Sequence, residues 1–260
     1  MTLLTVIPWR AAGDDAAASP GGDTAPPRAA AGAAMAWAPA VGLLLGVIAS
    51  AVLLLADDPL GAGPLTASGL AVGSLALLTR GLHLDGLASG KPAPAALDIM
   101  RRSDIGPLGV VTLVLTLLLQ VAALSQAESA GHGRGPAALI AAVVTGRLAL
   151  TWACRRGVPP ARPDGLGALV AGSVRPVVPA TATAVTLAAA AAAVAISATV
   201  AGGRLGWTLP LAVAAGLAAA FAVQRHAVRR LGGITGDVLG ALAEIATTVT
   251  LVVAAMGPPA

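Results

Sequence analysis

Long apolar runs separated by short polar segments dominate this chain. Seven of these runs are predicted to form membrane-crossing helices, at about residues 36–56, 60–79, 107–127, 136–154, 176–201, 207–224 and 238–256. Each run is close to or longer than the roughly 20 residues that a helix needs to cross about 30 Å of hydrocarbon. The pattern therefore predicts an all-α, polytopic integral membrane protein with about seven transmembrane helices, six also being possible.

The first 35 residues have a different pattern. The opening stretch MTLLTVIPW is too short to span a bilayer, is interrupted by Pro8 and is not followed by a convincing cleavage site. It is predicted to lie at the membrane interface. Residues 10–34 are rich in Ala, Gly, Pro and Asp, which is typical of a flexible linker. We therefore divide the chain into an N-terminal segment, residues 1–35, and a membrane domain, residues 36–260.

Small residues recur at four-residue spacing inside two of the predicted spans. Gly42 and Gly46 form one pair, and Gly236 and Gly240 form the other. This spacing lets membrane helices approach closely, although it is common enough to be weak evidence by itself.

The basic residues predict which side of the membrane each loop faces. With seven spans, the N-terminal tail and the second, fourth and sixth loops share one side, and 13 of the 16 Lys and Arg residues lie there. An excess of Lys and Arg marks cytoplasmic loops, so the N-terminus and the three large polar loops are expected in the cytoplasm. Polar loops gathered on one side favour an enzyme at the cytoplasmic surface over a transporter, which needs access from both sides.

Composition excludes several other classes of protein. The chain is 57% hydrophobic with a mean hydropathy of +0.85, so it is not a soluble domain. Aromatic residues make up 2%, and basic clusters interleaved with aromatics are missing, so nucleic acid is not an expected partner. Cys154 is the single cysteine, which rules out an intrachain disulfide and a cysteine-built metal cluster.

The loop at residues 80–107 concentrates charge next to the membrane. Carboxylates are hard oxygen ligands for Mg²⁺, and guanidinium groups offset phosphate charge. The loop is therefore a candidate site for metal-bound phosphates, although its arginines also suit a loop that only fixes topology. Asp104 also fits a turn or an ion pair with Arg101, and His83 also fits a structural role. The candidates are His83, Asp85, Arg101, Arg102 and Asp104.

A second candidate site follows the sixth run, at Arg229, Arg230, Gly233, Gly236 and Asp237. Glycines allow the backbone to approach a phosphate closely, although glycine-rich turns are often structural. Asp237 and Glu244 are seven residues apart and would lie on nearly the same helix face. Glu244 and Arg147 fall inside apolar runs, where a charged side chain is rare unless it is functional or paired. The two are candidate partners for one another.

Three motifs resemble one family of membrane enzymes: GLHLDGLA at 81–88, IMRRSDIGPLGVV at 99–111 and RRLGGITGDVLGAL at 229–242. The opening LLTVIPW, the pair Gly146-Arg147 and PPARPDGLG at 159–167 are also similar. The family is cobalamin synthase, adenosylcobinamide-GDP ribazoletransferase, and the resemblance covers nearly the whole chain. It implies that residues 36–260 are a transferase domain in a bacterial plasma membrane, acting in the last steps of coenzyme B12 assembly.

The resemblance also implies a reaction and roles for residues. α-Ribazole or its 5′-phosphate would attack the cobinamide-linked phosphate of adenosylcobinamide-GDP, releasing GMP, with Mg²⁺ required and other cobamide-assembly enzymes as possible partners. His83 or Asp85 would help remove the proton of the ribazole 5′-hydroxyl. The metal ligands are expected at Asp85, Asp104, Asp237 and Glu244. Substrate phosphates are expected at Arg101, Arg102, Arg147, Arg229, Arg230, Gly233 and Gly236.

One departure from the family pattern leaves two alternatives open. The segment GLHLDGLA normally continues into a second acidic cluster, whereas Ala88 here is followed directly by Ser89, Gly90 and Lys91. One alternative is a catalytically impaired relative that acts as a scaffold. The other is a different Mg²⁺-dependent membrane transferase of a nucleotide-activated substrate, although its usual run of spaced aspartates is missing from this sequence.

Overall fold

The computed structural model describes residues 28–79, 107–131, 133–200 and 207–256. Within these ranges the chain is helical, and its β-type contacts are two isolated bridges. The helices are α1 (Arg28–Ala36), α2 (Ala38–Asp57), α3 (Gly63–Leu78), α4 (Pro107–Ser129), α5 (Arg134–Ala153), α6 (Gly165–Val170), α7 (Val177–Val200), α8 (Thr208–Leu231) and α9 (Gly236–Ala255).

The all-α membrane fold is confirmed. Six helices, α2, α4, α5, α7, α8 and α9, are long and apolar enough to cross a membrane, and α3 is a shorter apolar helix of 16 residues. These seven helices coincide with the seven predicted runs. Their outer faces expose large apolar side chains, such as Leu44 and Leu55 on α2 and Val114 and Leu118 on α4. Such faces are stable in hydrocarbon, so the chain is a multi-pass membrane protein.

Two predicted boundaries are wrong. The sixth run was expected to end near Gln224, but α8 continues to Leu231. Its last turns carry arginines, which end an apolar run although arginine forms helix readily. Residues 28–34 were assigned to the flexible linker but belong to α1, where Ala31 and Met35 are buried. Thr151 donates a hydrogen bond to the Met35 carbonyl at 2.9 Å, which ties α1 to α5. Residues 1–27 lie outside the described ranges.

Helix α5 is the centre of the bundle. It contacts α2, α4, α7, α8 and α9, and most of its residues are buried. Helix α9 packs against α4, α5 and α8, and α3 packs against α2 and α4. Large buried side chains that fill the space around α5 include Leu45, Leu53, Leu139, Leu148 and Leu251.

Close packing of α2 on α5 depends on the predicted glycine pair. A Cβ atom added at Gly42 would lie 2.9 Å from Cγ of Arg147 and 3.0 Å from the Val143 carbonyl oxygen, and one at Gly46 would lie 3.0 Å from the Ile140 Cα. The prediction of close helix contact at Gly42 and Gly46 is therefore confirmed. At Gly236 a Cβ would make only an ordinary 3.5 Å contact with Leu166.

We predict that Gly42→Leu lowers the stability of the bundle by about 1–3 kcal/mol or more, because the new side chain must displace Arg147 and the α5 backbone. The matched control is Gly69→Leu on α3, where an added Cβ meets nothing within 4 Å. Thermal unfolding in detergent, followed by size-exclusion chromatography, measures both variants. Equal melting temperatures for the two variants would contradict the predicted α2–α5 contact.

Candidate functional site

Two loop segments meet at one end of the bundle. One is residues 154–176, between α5 and α7, and the other is residues 232–235, between α8 and α9. The Ile234 N–H donates to the Pro159 carbonyl at 3.0 Å, and the Ala161 N–H donates to the Ile234 carbonyl at 3.0 Å. We call this contact, residues 159–161 with residues 233–234, the loop junction. It joins the α5–α7 loop directly to the start of α9.

The loop junction requires glycine at two positions. A Cβ atom on Gly233 would lie 2.5 Å from the Ala161 nitrogen and would also overlap the backbone of Pro159 and Pro160. A Cβ atom on Gly167 would overlap the Ile234 carbonyl oxygen and lie 2.9 Å from the Thr235 Cα. Packing therefore accounts for the glycine at 233, for which a phosphate-binding role was predicted.

Helix α9 begins at the loop junction and presents Asp237. Thr235 is its N-cap, and the Thr235 hydroxyl accepts a hydrogen bond from the Val238 N–H at 3.2 Å. Asp237 lies in the first turn, with an exposed fraction of 31% for its side chain. Nη2 of Arg162, from the other side of the junction, lies 3.8 Å from Oδ2 of Asp237. The fold thus places a solvent-accessible carboxylate beside a guanidinium at the end of α9.

The two predicted arginines of α8 lie at the same end of the bundle. Arg229 and Arg230 are exposed in the last turn of α8, where positive charge is favourable beside the helix C-terminus. Gly232 caps this helix with a φ of +79°, a conformation that favours glycine. The loop at residues 80–107, which we call the polar loop, holds five other predicted site residues. These lie outside the described residues: His83, Asp85, Arg101, Arg102 and Asp104.

Arg147 and Glu244 lie together in the interior of the bundle. Arg147 on α5 is 4% exposed, and it interacts electrostatically with the partly buried carboxylate of Glu244 on α9. Gln120 on α4 donates hydrogen bonds to Oε2 of Glu244 at 2.8 Å and to the Thr248 hydroxyl at 3.0 Å. Arg147 and Glu244 therefore lie close enough to interact electrostatically, and the hydrogen bond to the Glu244 carboxylate comes from Gln120. We call these residues the interior polar cluster.

A small cavity of about 30 Å³ adjoins the interior polar cluster. Gln120, Arg147, Glu244, Thr247 and Thr79 supply its polar lining. The Nε atom of Arg147 is buried without a hydrogen-bond partner. A cavity of this size has room for a water molecule, and the polar groups around it suit one that bridges Arg147 to its neighbours.

Asp237 and Glu244, two of the predicted metal ligands, differ in their surroundings. Seven helical residues place their backbones about 10 Å apart along α9. Asp237 lies beside Arg162 at the start of the helix, whereas Glu244 accepts a hydrogen bond from Gln120 in the interior of the bundle. Among the residues that the structure describes, no group of three or more His, Cys, Asp or Glu side chains could hold a metal ion.

Cys154 is not a candidate nucleophile. It follows α5 and is fully buried among apolar side chains. Burial raises the pKa of its thiol to about 12, so the neutral thiol predominates at physiological pH.

Three residues of these sites were not identified from the sequence as site residues. Arg162 lies in the segment PPARPDGLG, which the sequence singled out only for its resemblance, and the fold makes it the cation beside Asp237. Thr235 could have been found, because a threonine at the start of a predicted helix is a common N-cap. Gln120 carried a weaker signal, a lone amide in an apolar run.

Comparisons with known proteins agree with the resemblance of the motifs. The model of the family described as cobalamin-5-phosphate synthase matches residues 1–255. A protein of Frankia casuarinae named adenosylcobinamide-GDP ribazoletransferase is 43% identical, over 99% of this chain and 93% of its own. Proteins with the same name from a Nocardioides species and from Stutzerimonas stutzeri are 36% and 38% identical, over 84% and 82% of this chain and 84% and 83% of theirs. No solved structure gives a significant match.

The interior polar cluster leads to a prediction about stability. Glu244→Leu and Arg147→Met should each destabilise the protein by about 3–5 kcal/mol, because each leaves one charge uncompensated inside the bundle. The double variant Arg147→Met/Glu244→Leu should lose much less than the sum of the two single losses, because it removes both charges. Unfolding in detergent, measured for all four proteins, gives the coupling free energy. Additive losses would show that the two charges do not stabilise each other.

Proposed function

The chain belongs to the cobalamin-5-phosphate synthase family, and we propose that it transfers the phosphocobinamide part of adenosylcobinamide-GDP to α-ribazole or α-ribazole 5′-phosphate. The products are adenosylcobalamin or its 5′-phosphate, and GMP. The observation that carries this proposal is the family match over residues 1–255, which includes both candidate loops and every helix of the bundle.

The reaction exchanges one phosphorus–oxygen bond for another. A ribose hydroxyl oxygen of the ribazole bonds to the phosphorus attached to cobinamide. The bond from that phosphorus to the bridging oxygen breaks, and GMP leaves with the electron pair. The hydroxyl proton passes to a base, for which His83 and Asp85 are the candidates. The attacking group has to be a hydroxyl other than the predicted 5′-hydroxyl, because the 5′ oxygen already carries phosphate in the phosphorylated substrate.

The residues at the start of α9 suit the binding of a diphosphate. Phosphoryl transfer depends on positioning and on offsetting negative charge more than on covalent help from the protein. Arg162 and the arginines that end α8 supply positive charge at this end of the bundle. The first N–H groups of α9 add a partial positive charge. In this proposal Arg229 and Arg230 hold phosphates, together with Arg101 and Arg102 of the polar loop.

The charged groups also fit a role for Mg²⁺. Asp237 offers an accessible carboxylate oxygen, the kind of ligand that Mg²⁺ takes, and Mg²⁺ usually binds through one or two carboxylates plus substrate phosphates. Asp237 would hold the ion together with Asp85 and Asp104. Bound there, Mg²⁺ would neutralise part of the diphosphate charge.

The cellular arrangement follows from the distribution of basic residues. We place the protein in the bacterial plasma membrane, with the loop junction on the cytoplasmic side, because the loops at that end carry most of the arginines. Both polar substrates would then reach the site from the cytoplasm.

We predict that membranes containing this protein release GMP from adenosylcobinamide-GDP when α-ribazole and Mg²⁺ are both present. Asp237→Ala should lower the rate by about 100-fold or more, the scale expected when one electrostatic contact to the reacting groups is lost. Chromatographic measurement of GMP and of the cobalamin product gives the rate.

The matched control is Asp58→Asn, because Asp58 is an exposed aspartate that follows α2 at the opposite end of the bundle. Its turnover should equal that of the parent protein. Unchanged turnover in Asp237→Ala would remove Asp237 from the site. Absence of GMP release from well-folded parent protein would contradict the proposed reaction and favour the impaired relative.

A further inference from the structure

A second, larger cavity lies on the other side of α5. It measures about 280 Å³ and is formed by α5, α7, α8 and α9. Its lining is almost entirely apolar and includes Ala149, Trp152, Leu217, Ala218, Phe221 and Leu242. An apolar cavity of about 150 Å³ already binds benzene rather than water. A cavity of this size inside the membrane therefore suits an apolar guest.

The polar side chains that line this cavity are already engaged with the protein. The Trp152 indole Nε1–H donates to the Thr183 hydroxyl at 2.9 Å, and that hydroxyl donates to the Pro179 carbonyl at 2.7 Å. Nε2 of Gln224 donates to the Ala153 carbonyl at 3.4 Å. These bonds leave the interior better suited to hydrocarbon than to a polar substrate.

A guanidinium group lies at the rim, on the loop side of the membrane. The Cζ atom of Arg155 lies 5.7 Å from the ring centre of Trp152 and 5.3 Å from that of Phe221. Its Nη1 donates to the Trp152 carbonyl at 2.9 Å and to Oε1 of Gln224 at 3.1 Å. A guanidinium has five N–H donors, so these bonds through Nη1 leave others for a ligand.

The surroundings of the rim are basic and open to the bilayer. Phe221 is 46% exposed on α8, a helix long and apolar enough to cross the membrane, so the cavity can be entered sideways from the lipid. Arg225 and Arg229 follow Phe221 at four-residue steps on the same face of α8, and both are exposed. The site therefore combines a hydrocarbon-lined interior with a cationic rim at the end of the helices.

We propose that this cavity binds one acyl chain of an anionic phospholipid, whose phosphate is held by Arg155 at the rim with Arg225 beside it. Guanidinium groups bind phosphate through paired N–H donors, and each basic residue near an anionic headgroup strengthens binding about fivefold. Arg155 positions the headgroup, and the space beside Ala218 and Leu217 accepts the chain. The site differs from the loop junction and does not depend on the proposed reaction.

Trp152 provides a direct probe of this site. Replacing Trp9, Trp37 and Trp207 by Phe leaves Trp152 as the only tryptophan, and Trp37 and Trp207 are 70% and 71% exposed, so little packing is lost. The protein is placed in phosphatidylcholine vesicles that contain increasing amounts of a phospholipid brominated near the glycerol end of its chains. Bromine quenches tryptophan emission at short range. Brominated phosphatidylglycerol should quench Trp152 at a several-fold lower mole fraction than brominated phosphatidylcholine.

Two variants and one control make the test specific. Arg155→Gln should remove most of the preference for phosphatidylglycerol. Ala218→Leu, which fills the cavity and keeps Arg155, should reduce quenching by both lipids. Arg28→Gln removes one charge at the loop end of the bundle but away from this cavity, on α1, and should keep the preference. Equal quenching by the two lipids in the parent protein would overturn the proposal. Relief of quenching by α-ribazole would also overturn it and would assign the cavity to the substrate base.

Discussion

The backbone contact between residues 159–161 and 233–234 determines the geometry of the loop end of this protein. Residues 159–161 follow α5, and residues 233–234 precede α9, a helix that crosses the bundle at a different place. The pair of hydrogen bonds at Ile234 fixes their loops together, and the buried Ile234 side chain adds apolar contact. Arg162 and Asp237 face each other because their backbones are held on the two sides of this contact. The positions of the charged side chains in the proposed site thus depend on backbone hydrogen bonds between uncharged residues.

The membrane imposes a second constraint, which the interior polar cluster satisfies. Arg147 lies six residues before the end of α5, about 9 Å along the helix from the loop end, where an unpaired cation is costly. Glu244 supplies the opposite charge, and Gln120 orients that carboxylate. The cluster links α4, α5 and α9. Because α9 begins at the loop junction, the cluster also helps to fix the helix that carries Asp237.

The sequence predicted the membrane helices well, because hydropathy directly reflects the energy of a helix in hydrocarbon. It also predicted the contact at Gly42 and Gly46, since glycines one turn apart favour close helix packing. Arg147 and Glu244 were proposed as partners because a charge inside an apolar run needs one, and the fold brings them near the same small cavity. The sequence did not predict the features that depend on tertiary contacts. The glycine at 233 is required by the backbone at residues 159–161, which is more than 70 residues away in sequence, and no local pattern shows that. Arg162 looked like one of several loop arginines until the fold placed it beside Asp237.

The most direct test of this account is the rate of GMP release by Gly233→Val. The new side chain would overlap the backbone at residues 159–161, whereas Gly232→Asn, the control, lies in open space and asparagine tolerates the positive φ there. We expect Gly233→Val to lose about 100-fold in turnover with the helix content of the parent, because small displacements of reacting groups cost that much. Full turnover in Gly233→Val would contradict the claim that the loop junction builds the active site.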